Sequence, residues 1–89
     1  METSPTVPPT FKAIAQDLLG LLHKPGGTVP GSFTQSLFEL WPKADLDNKA
    51  RIESGWPEVA FVLRSNDLGG LNAVRSLAGL APVLGEDAL

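Results

Sequence analysis

The sequence predicts an all-α protein, a compact bundle of four to five short helices. Leucine, which favours helices, occurs fourteen times in 89 residues against two isoleucines. No segment sustains the apolar–polar alternation of a half-buried strand. Apolar residues instead recur at spacings of three and four, which place them on one face of a helix. A chain of this length has room for one hydrophobic core.

The two ends of the chain differ in composition from its middle. Residues 1–9 carry three prolines and short polar residues, which favours a disordered tail. Residues 81–89 include Pro82 and the acidic pair Glu86–Asp87, which favours a flexible acidic tail. Residues 10–80 are therefore the predicted helical domain. This domain contains all seven Lys and Arg and seven of the ten acidic residues, so its formal charge is zero.

The first predicted helix begins after Thr10, whose side chain can accept a hydrogen bond from a free amide of the first turn. Lys24, followed by Pro25 and two glycines, ends it because proline cannot continue a helix. One face of this helix carries the residues at apolar spacing, which are Phe11, Ile14, Ala15, Leu18, Leu19 and Leu22.

The second predicted helix starts at the clearest boundary signal in the chain. Residues 32–35 match the S-x-x-Q capping box, in which the Ser32 hydroxyl and the Gln35 amide each satisfy a backbone donor. Pro42 ends or kinks this helix. Its apolar residues share a face and are Phe33, Leu37, Leu40 and Trp41.

Three further helices are predicted with shorter signals. Asp45 and Asp47 are alternative N-caps for a short third helix. A fourth helix is expected over residues 57–65, because proline suits the first helical position. Residues 66–70 indicate a turn, and a final helix is expected over residues 71–80.

The predicted core collects the apolar faces of these helices. A core of this kind contributes most of the stability of a small domain that has no disulfide. Its expected members are Phe11, Ile14, Leu18, Leu22, Phe33, Leu37, Leu40, Ile52, Val59, Val62, Leu63, Leu71, Val74 and Leu77.

The sequence offers no arrangement of residues typical of catalysis or metal binding. Cysteine is absent, and the only histidine, His23, lies near a helix C-terminus, where a protonated imidazole stabilises the helix dipole. Residues 45–49 resemble the start of a calcium loop, but Lys49 takes a ligand position, and Ala50 and Trp56 stand where glycine and glutamate are required. We therefore expect no enzyme, cofactor, metal or small-molecule substrate.

The chain also carries no signal for a membrane or for export. No apolar run approaches the roughly 18 residues of a membrane span. The first nine residues have neither a basic start nor an apolar segment of the kind found in signal peptides. A cytoplasmic location is therefore expected.

A nucleic-acid-binding regulator of the helix-turn-helix kind is the alternative interpretation. Lys43, Lys49 and Arg51 fall within nine residues, but two aspartates interrupt this cluster. A recognition helix projects polar side chains, whereas residues 59–63 form a continuous apolar run. Nucleic acid is therefore the less favoured partner. We expect a balanced polar exterior, and this expectation would be contradicted if Lys43, Lys49, Arg51, Arg64 and Arg75 converged on one exposed face.

Large aromatic residues at helix ends are the remaining feature. We assign Phe33 and Phe61 to the core. Phe38 lies beside the apolar face of its helix, and Trp41 and Trp56 each precede a proline, where complete burial is harder. Because exposed aromatic anchors are typical of interfaces, we expect at least one of Phe38, Trp41 and Trp56 to contact a partner.

Three stretches of the chain resemble a known pattern. They are Gly-Ser-Phe-Thr-Gln-Ser-Leu-Phe-Glu-Leu at 31–40, Lys-Ala-Asp-Leu-Asp-Asn at 43–48 and Gly-Trp-Pro-Glu-Val at 55–59. Together they are similar to small uncharacterised helical proteins of bacteriophages and other mobile elements. The resemblance implies a phage-like origin and a non-enzymatic role, and it carries over no functional residue.

Protein binding is the function these observations favour. The partner would be a host protein, an assembly protein or a second copy of the chain. Two mechanisms are consistent with the sequence: an apolar groove or patch around the two Trp-Pro segments, or a terminal segment that becomes ordered on a partner.

Overall fold

Four α-helices make up the computed structural model, which describes residues 11–84. They are α1 (Phe11–Leu21), α2 (Ser32–Leu40), α3 (Leu46–Gly55) and α4 (Pro57–Leu77), and a 3₁₀ turn, Trp41–Lys43, follows α2. Residues 11–84 contain no strand, so the all-α prediction is confirmed. None of these helices combines the length and the apolar character needed to cross a membrane. The expected Thr10 cap, the 1–9 tail and the Glu86–Asp87 pair lie outside the described residues.

Packing is centred on α4. Helix α1 lies along α4 over the most extensive contact in the domain, α3 packs against α4 as well, and α2 touches both α1 and α4. The residues 11–84 bury no polar or charged side chain completely. The core consists of Ile14, Ala15, Leu18, Leu19, Leu37, Phe38, Trp41, Ile52, Val59, Ala60, Val62, Leu63, Leu71, Val74 and Ala78.

Helix α1 ends at Leu21, three residues before the predicted end at Lys24. His23 takes a left-handed conformation with φ of 58°. The Lys24 amide then donates to the Leu19 carbonyl at 2.9 Å and the His23 amide to the Gly20 carbonyl at 3.1 Å. These two bonds form a Schellman motif, which usually places glycine where His23 lies. The backbone therefore turns before Pro25 is reached.

The capping box predicted for α2 is wrong. Gly31 is the N-cap, and its carbonyl accepts from the Gln35 amide at 2.9 Å. Ser32 is consequently already inside the helix, and the Gln35 side chain donates to Glu39 at 3.1 Å and does not turn back to the helix start. The helix begins one residue too early for the box to form.

The start of α3 follows one of the two predicted alternatives. Asp45 is the N-cap, and its carboxylate accepts a hydrogen bond from the Asn48 amide at 2.9 Å. Asp47 lies in the first turn of the helix, where a negative charge complements the helix dipole.

Helix α4 is longer than the predicted fourth helix. It continues through Asn66 to Gly69, where a turn was expected, and departs from helical geometry only at Gly70, with φ of 70° and ψ of −157°. The predicted turn is therefore wrong for four of its residues. Its second part ends at Leu77, where a Schellman motif with Gly79 at φ of 77° follows.

Residues after α4 are held to its surface by side chains. The Asn72 side chain donates to the Val83 carbonyl and accepts from the Val83 amide, both at 2.8 Å. Arg75 donates to the Ala81 carbonyl at 2.7 Å through Nε. Residues 81–84 thus lie along the C-terminal half of α4.

Five aromatic and leucine residues assigned to the core are exposed. Phe11 and Phe61 are half-exposed and pack on each other at the surface, with ring centroids 4.9 Å apart. Leu22 lies beyond the end of α1. Phe33 and Leu40 remain uncovered because α3 packs mainly on α4. The predicted core residues that the structure exposes are Phe11, Leu22, Phe33, Leu40 and Phe61, and Leu77 is only partly buried.

Candidate functional site

Trp41 is buried, with 2% of its surface exposed, although the sequence suggested a partner contact. Phe38 is 4% exposed, so neither residue presents the surface that a contact requires. Trp41 is the first residue of the 3₁₀ turn, and its side chain is buried although Pro42 follows it directly. Asp67 on α4, itself exposed, accepts a hydrogen bond from Trp41 Nε1 at 2.8 Å, so the polar edge of the buried ring is satisfied by a residue at the surface of the domain.

Two cations flank the buried indole. Lys49 Nζ lies 5.1 Å and Arg64 Cζ lies 5.2 Å from the centroid of the Trp41 ring. Arg64 also pairs with Glu53, at 3.2 Å and 3.3 Å between two nitrogen–oxygen pairs. These contacts tie α3 to α4 around Trp41. They are structural, and they engage two of the basic residues that a nucleic-acid surface would use.

Trp56 is the member of the predicted trio that is accessible, with 41% of its surface exposed. It connects α3 to α4: its amide donates to the Ile52 carbonyl at 2.7 Å, and its carbonyl accepts from the Ala60 amide at 3.0 Å. Phe33 of α2 lies against it with ring centroids 5.5 Å apart, and Phe33 is 60% exposed. The two rings form an exposed aromatic pair on a rigid backbone.

A groove lies beside this pair, between α2 and α3. We call it the α2–α3 groove, and its volume is about 390 Å³. Ile52 is buried, whereas Leu40 is 50% exposed. The residues that line the groove are Leu40, Lys43, Ala44, Asn48, Arg51, Ile52 and Trp56.

Every ionisable residue that lines the α2–α3 groove is basic. Lys43 comes from the 3₁₀ turn and Arg51 from α3. Arg51 Nη1 donates to Asn48 Oδ1 at 3.1 Å, which orients the guanidinium on the helix surface. Within residues 11–84, the ion pair of Arg64 with Glu53 is the salt bridge that forms, so neither groove cation has a carboxylate partner there.

The two Trp-Pro segments meet at this groove. The first contributes Leu40 and Lys43, which bracket the buried Trp41, and the second contributes Trp56. Sequence reasoning identified Trp56, assigned Leu40 to the core, considered Lys43 and Arg51 only as part of a nucleic-acid surface, and missed Asn48. Leu40 lies seven residues after Phe33 and therefore on the same helix face, which was expected to be buried.

Of the five basic residues whose convergence would favour nucleic acid, four lie around the groove and the neighbouring Trp41, and Arg75 lies apart from them. Lys43 and Arg51 line the groove, and Lys49 and Arg64 lie over Trp41. Arg75 lies near the C-terminal end of α4, where its Nη1 donates to the Pro25 carbonyl at 3.1 Å. No single exposed face collects all five.

The rest of the described chain shows no other concentration of reactive groups. A second pocket of about 330 Å³ beside the end of α1 has one titratable lining residue, His23. Residues 11–84 contain no group of three or more His, Cys, Asp or Glu side chains able to hold a metal ion. The α2–α3 groove is therefore the candidate site.

Comparisons with known proteins found no matching family model, no matching curated protein and no matching solved structure. The resemblance to helical proteins of phages and mobile elements accordingly stays a prediction.

Proposed function

We propose that this chain is a non-catalytic protein-binding module and that the α2–α3 groove receives an apolar side chain of its partner. The observation that carries the proposal is the shared exposure of Phe33, Leu40 and Trp56 around one groove. Exposed aromatic and aliphatic residues that cluster in this way are typical of interfaces. The partner is a host protein, an assembly protein or a second copy of the chain, and the cytoplasm is the proposed location.

The energetics of burial support this use of the groove. Full burial of an exposed leucine or aromatic side chain contributes roughly 1.5–3 kcal/mol, and about half of that is available to Leu40 and Trp56, which are already half buried. Tryptophan is enriched among the residues that dominate binding energy. Trp56 is held by backbone hydrogen bonds on both sides. Its ring already packs against Phe33, with centroids 5.5 Å apart, so it loses little conformational freedom when a partner docks.

Site-specific crosslinking in the native cell tests the proposal. A photoreactive phenylalanine replaces Leu40 in the groove, and in a matched variant it replaces Ser76, an exposed residue near the C-terminal end of α4. We expect crosslinks to a defined protein from position 40 and not from position 76, and we expect Trp56→Ala to remove them. Equal crosslinking from both positions, or crosslinking that survives Trp56→Ala, would contradict the proposal.

A small nucleic-acid-binding regulator is the second candidate function. It is favoured by the basic character of the groove, where Lys43 and Arg51 have no carboxylate partner among residues 11–84. Binding of this kind weakens steeply as salt rises, because counterions are released from the phosphates. Fluorescence anisotropy with labelled duplex DNA and RNA tests it. Tight binding that is lost in the double variant Lys43→Ala/Arg51→Ala would place this function first.

A further inference from the structure

We infer that the segment bound in the α2–α3 groove is an acidic amphipathic helix. One large apolar side chain of this helix enters beside Leu40 and Trp56, and carboxylates one turn away pair with Lys43 and Arg51. The inference rests on the proposed function and adds the chemistry of the partner.

The charge of the groove selects the partner's polar groups. Lys43 and Arg51 line it, and no acidic residue does. On α3, Glu53 is already paired with Arg64 of α4. The structure shows no ion pair between Asp47 and Arg51. A guanidinium held by Asn48 still has further N–H donors in the planar fork that matches a carboxylate. A carboxylate of the partner would therefore pair with Lys43 or Arg51, whereas a cation of the partner would be repelled by them.

The apolar lining selects a second group. The groove also has an apolar surface, formed by Leu40, Ile52 and Trp56. A partner that made only ionic contacts would leave this surface exposed to solvent. Its volume of about 390 Å³ is large enough for one bulky side chain and too small for a whole helix. The occupant must therefore carry an apolar anchor and acidic groups close to each other.

A helix supplies that combination. Side chains three and four residues apart lie on the same helix face, roughly 5–6 Å from each other, so an anchor and a carboxylate can point into the groove together. One wall of the groove is α3 and the other is the end of α2 with the turn that follows it, and an apolar groove is a surface on which amphipathic helices dock. Residues 11–84 contain no strand whose edge could pair with an extended segment.

The experiment uses two synthetic helices of about 16 residues, a length at which isolated helices become stable. Both carry the same leucine face, one has glutamates flanking it, and the other has lysine at each glutamate position. Each is titrated into the ¹⁵N-labelled full chain and followed by NMR. We expect the acidic peptide to bind about tenfold more tightly than the basic peptide. A tenfold difference in Kd corresponds to about 1.4 kcal/mol, the scale of a favourable charge contact. The Trp56 indole and Arg51 Nε signals should shift, and the buried Trp41 indole signal should not.

A charge-reversed protein provides the matched control. Lys43→Glu/Arg51→Glu should reverse the preference so that the basic peptide binds more tightly, and Trp56→Ala should weaken binding of both. Circular dichroism confirms that each variant folds, and the single variants Lys43→Gln and Arg51→Gln replace the double variant if it does not.

The outcomes separate the inference from the proposed function. Equal binding of the two peptides with a shifted Trp56 signal overturns the acidic preference and supports the groove as a binding site. Absence of shifts with either peptide overturns the inference; if crosslinking from position 40 also survives Trp56→Ala, the proposed function fails as well. Duplex DNA that shifts the Arg51 signal more than the acidic peptide does overturns the inference in favour of nucleic acid.

Discussion

The indole of Trp41 donates a hydrogen bond to the carboxylate of Asp67 at 2.8 Å and so joins the turn after α2 to the middle of α4. A buried indole N–H needs a partner, since leaving it unpaired costs a large part of what burying the ring contributes. This bond distinguishes the two tryptophans. Trp41 belongs to the core, whereas Trp56 is partly exposed and lines the groove.

Asp67→Ala is the direct test of this bond. We predict a loss of about 1–3 kcal/mol in the free energy of unfolding, because the indole N–H stays buried without an acceptor. Asp67→Asn keeps an acceptor oxygen of the same reach and should lose markedly less. Urea unfolding followed by tryptophan fluorescence measures both. Equal stability of Asp67→Ala and the parent chain would show that water satisfies the indole and that Asp67 is dispensable.

Gly70→Ala tests the break in α4. Gly70 has φ of 70° and ψ of −157°, a combination that residues with a side chain rarely adopt. We predict a destabilisation of about 1–3 kcal/mol, seen as a lower urea midpoint with an unchanged slope. Gly55→Ala is the matched control, because a β-carbon at this helical position meets nothing within 4 Å. If Gly70→Ala were as stable as Gly55→Ala, the helix would be straight in solution.

Local sequence signals predicted much of the fold. The apolar spacing of α1 identified Ile14 and Leu18 as core, and Asp45 was one of the two N-caps predicted for α3, because both signals depend on residues a few positions apart. The exposure of Phe33 and Leu40 could not be predicted in this way. It depends on α3 packing mainly against α4 and not over α2, a tertiary arrangement that no pattern within a single helix encodes.

The candidate site was predictable in the same limited sense. The Trp-Pro segments identified its neighbourhood, and Trp56 lies in it. Trp41 could not be distinguished from Trp56 by sequence, because both precede proline. What separates them is Asp67, which lies 26 residues from Trp41 and offers the acceptor that full burial requires.

Substitutions at Gly31 and Ser32, at the start of α2, should affect the free energy of unfolding differently. Because Gly31 is the N-cap, Ser32→Ala should change the free energy of unfolding by less than about 0.5 kcal/mol, whereas a working capping box would lose about 1 kcal/mol. Gly31→Ser should stabilise the domain by about 0.5–1 kcal/mol, since it adds a capping oxygen and removes freedom from the unfolded chain. A β-carbon at Gly31 meets nothing within 4 Å. Thermal unfolding of the two variants measures these changes. A loss of about 1 kcal/mol in Ser32→Ala would show that the capping box forms and that Gly31 is not the N-cap.

Gly20 gives the prediction in which two effects oppose each other most directly. It lies inside α1, where alanine is intrinsically more favourable by roughly 0.8–1.0 kcal/mol. The returning loop, however, brings the Thr28 carbonyl to the place that a β-carbon would occupy. Two hydrogen bonds hold the loop there, from the Thr28 amide to the Gln16 carbonyl at 2.9 Å and from the Thr28 hydroxyl to Asp17 at 2.6 Å.

We therefore predict that Gly20→Ala destabilises the domain by about 1–3 kcal/mol, the usual cost of overpacking, because the obstacle is backbone and cannot rotate away. Gly55→Ala again serves as the reference for a helical glycine with open space. Urea unfolding measures the difference, and amide hydrogen exchange at Thr28 should accelerate in Gly20→Ala as the loop is displaced. A gain in stability, with the Thr28 amide still protected, would mean that the loop yields at little cost and that helix propensity decides the outcome.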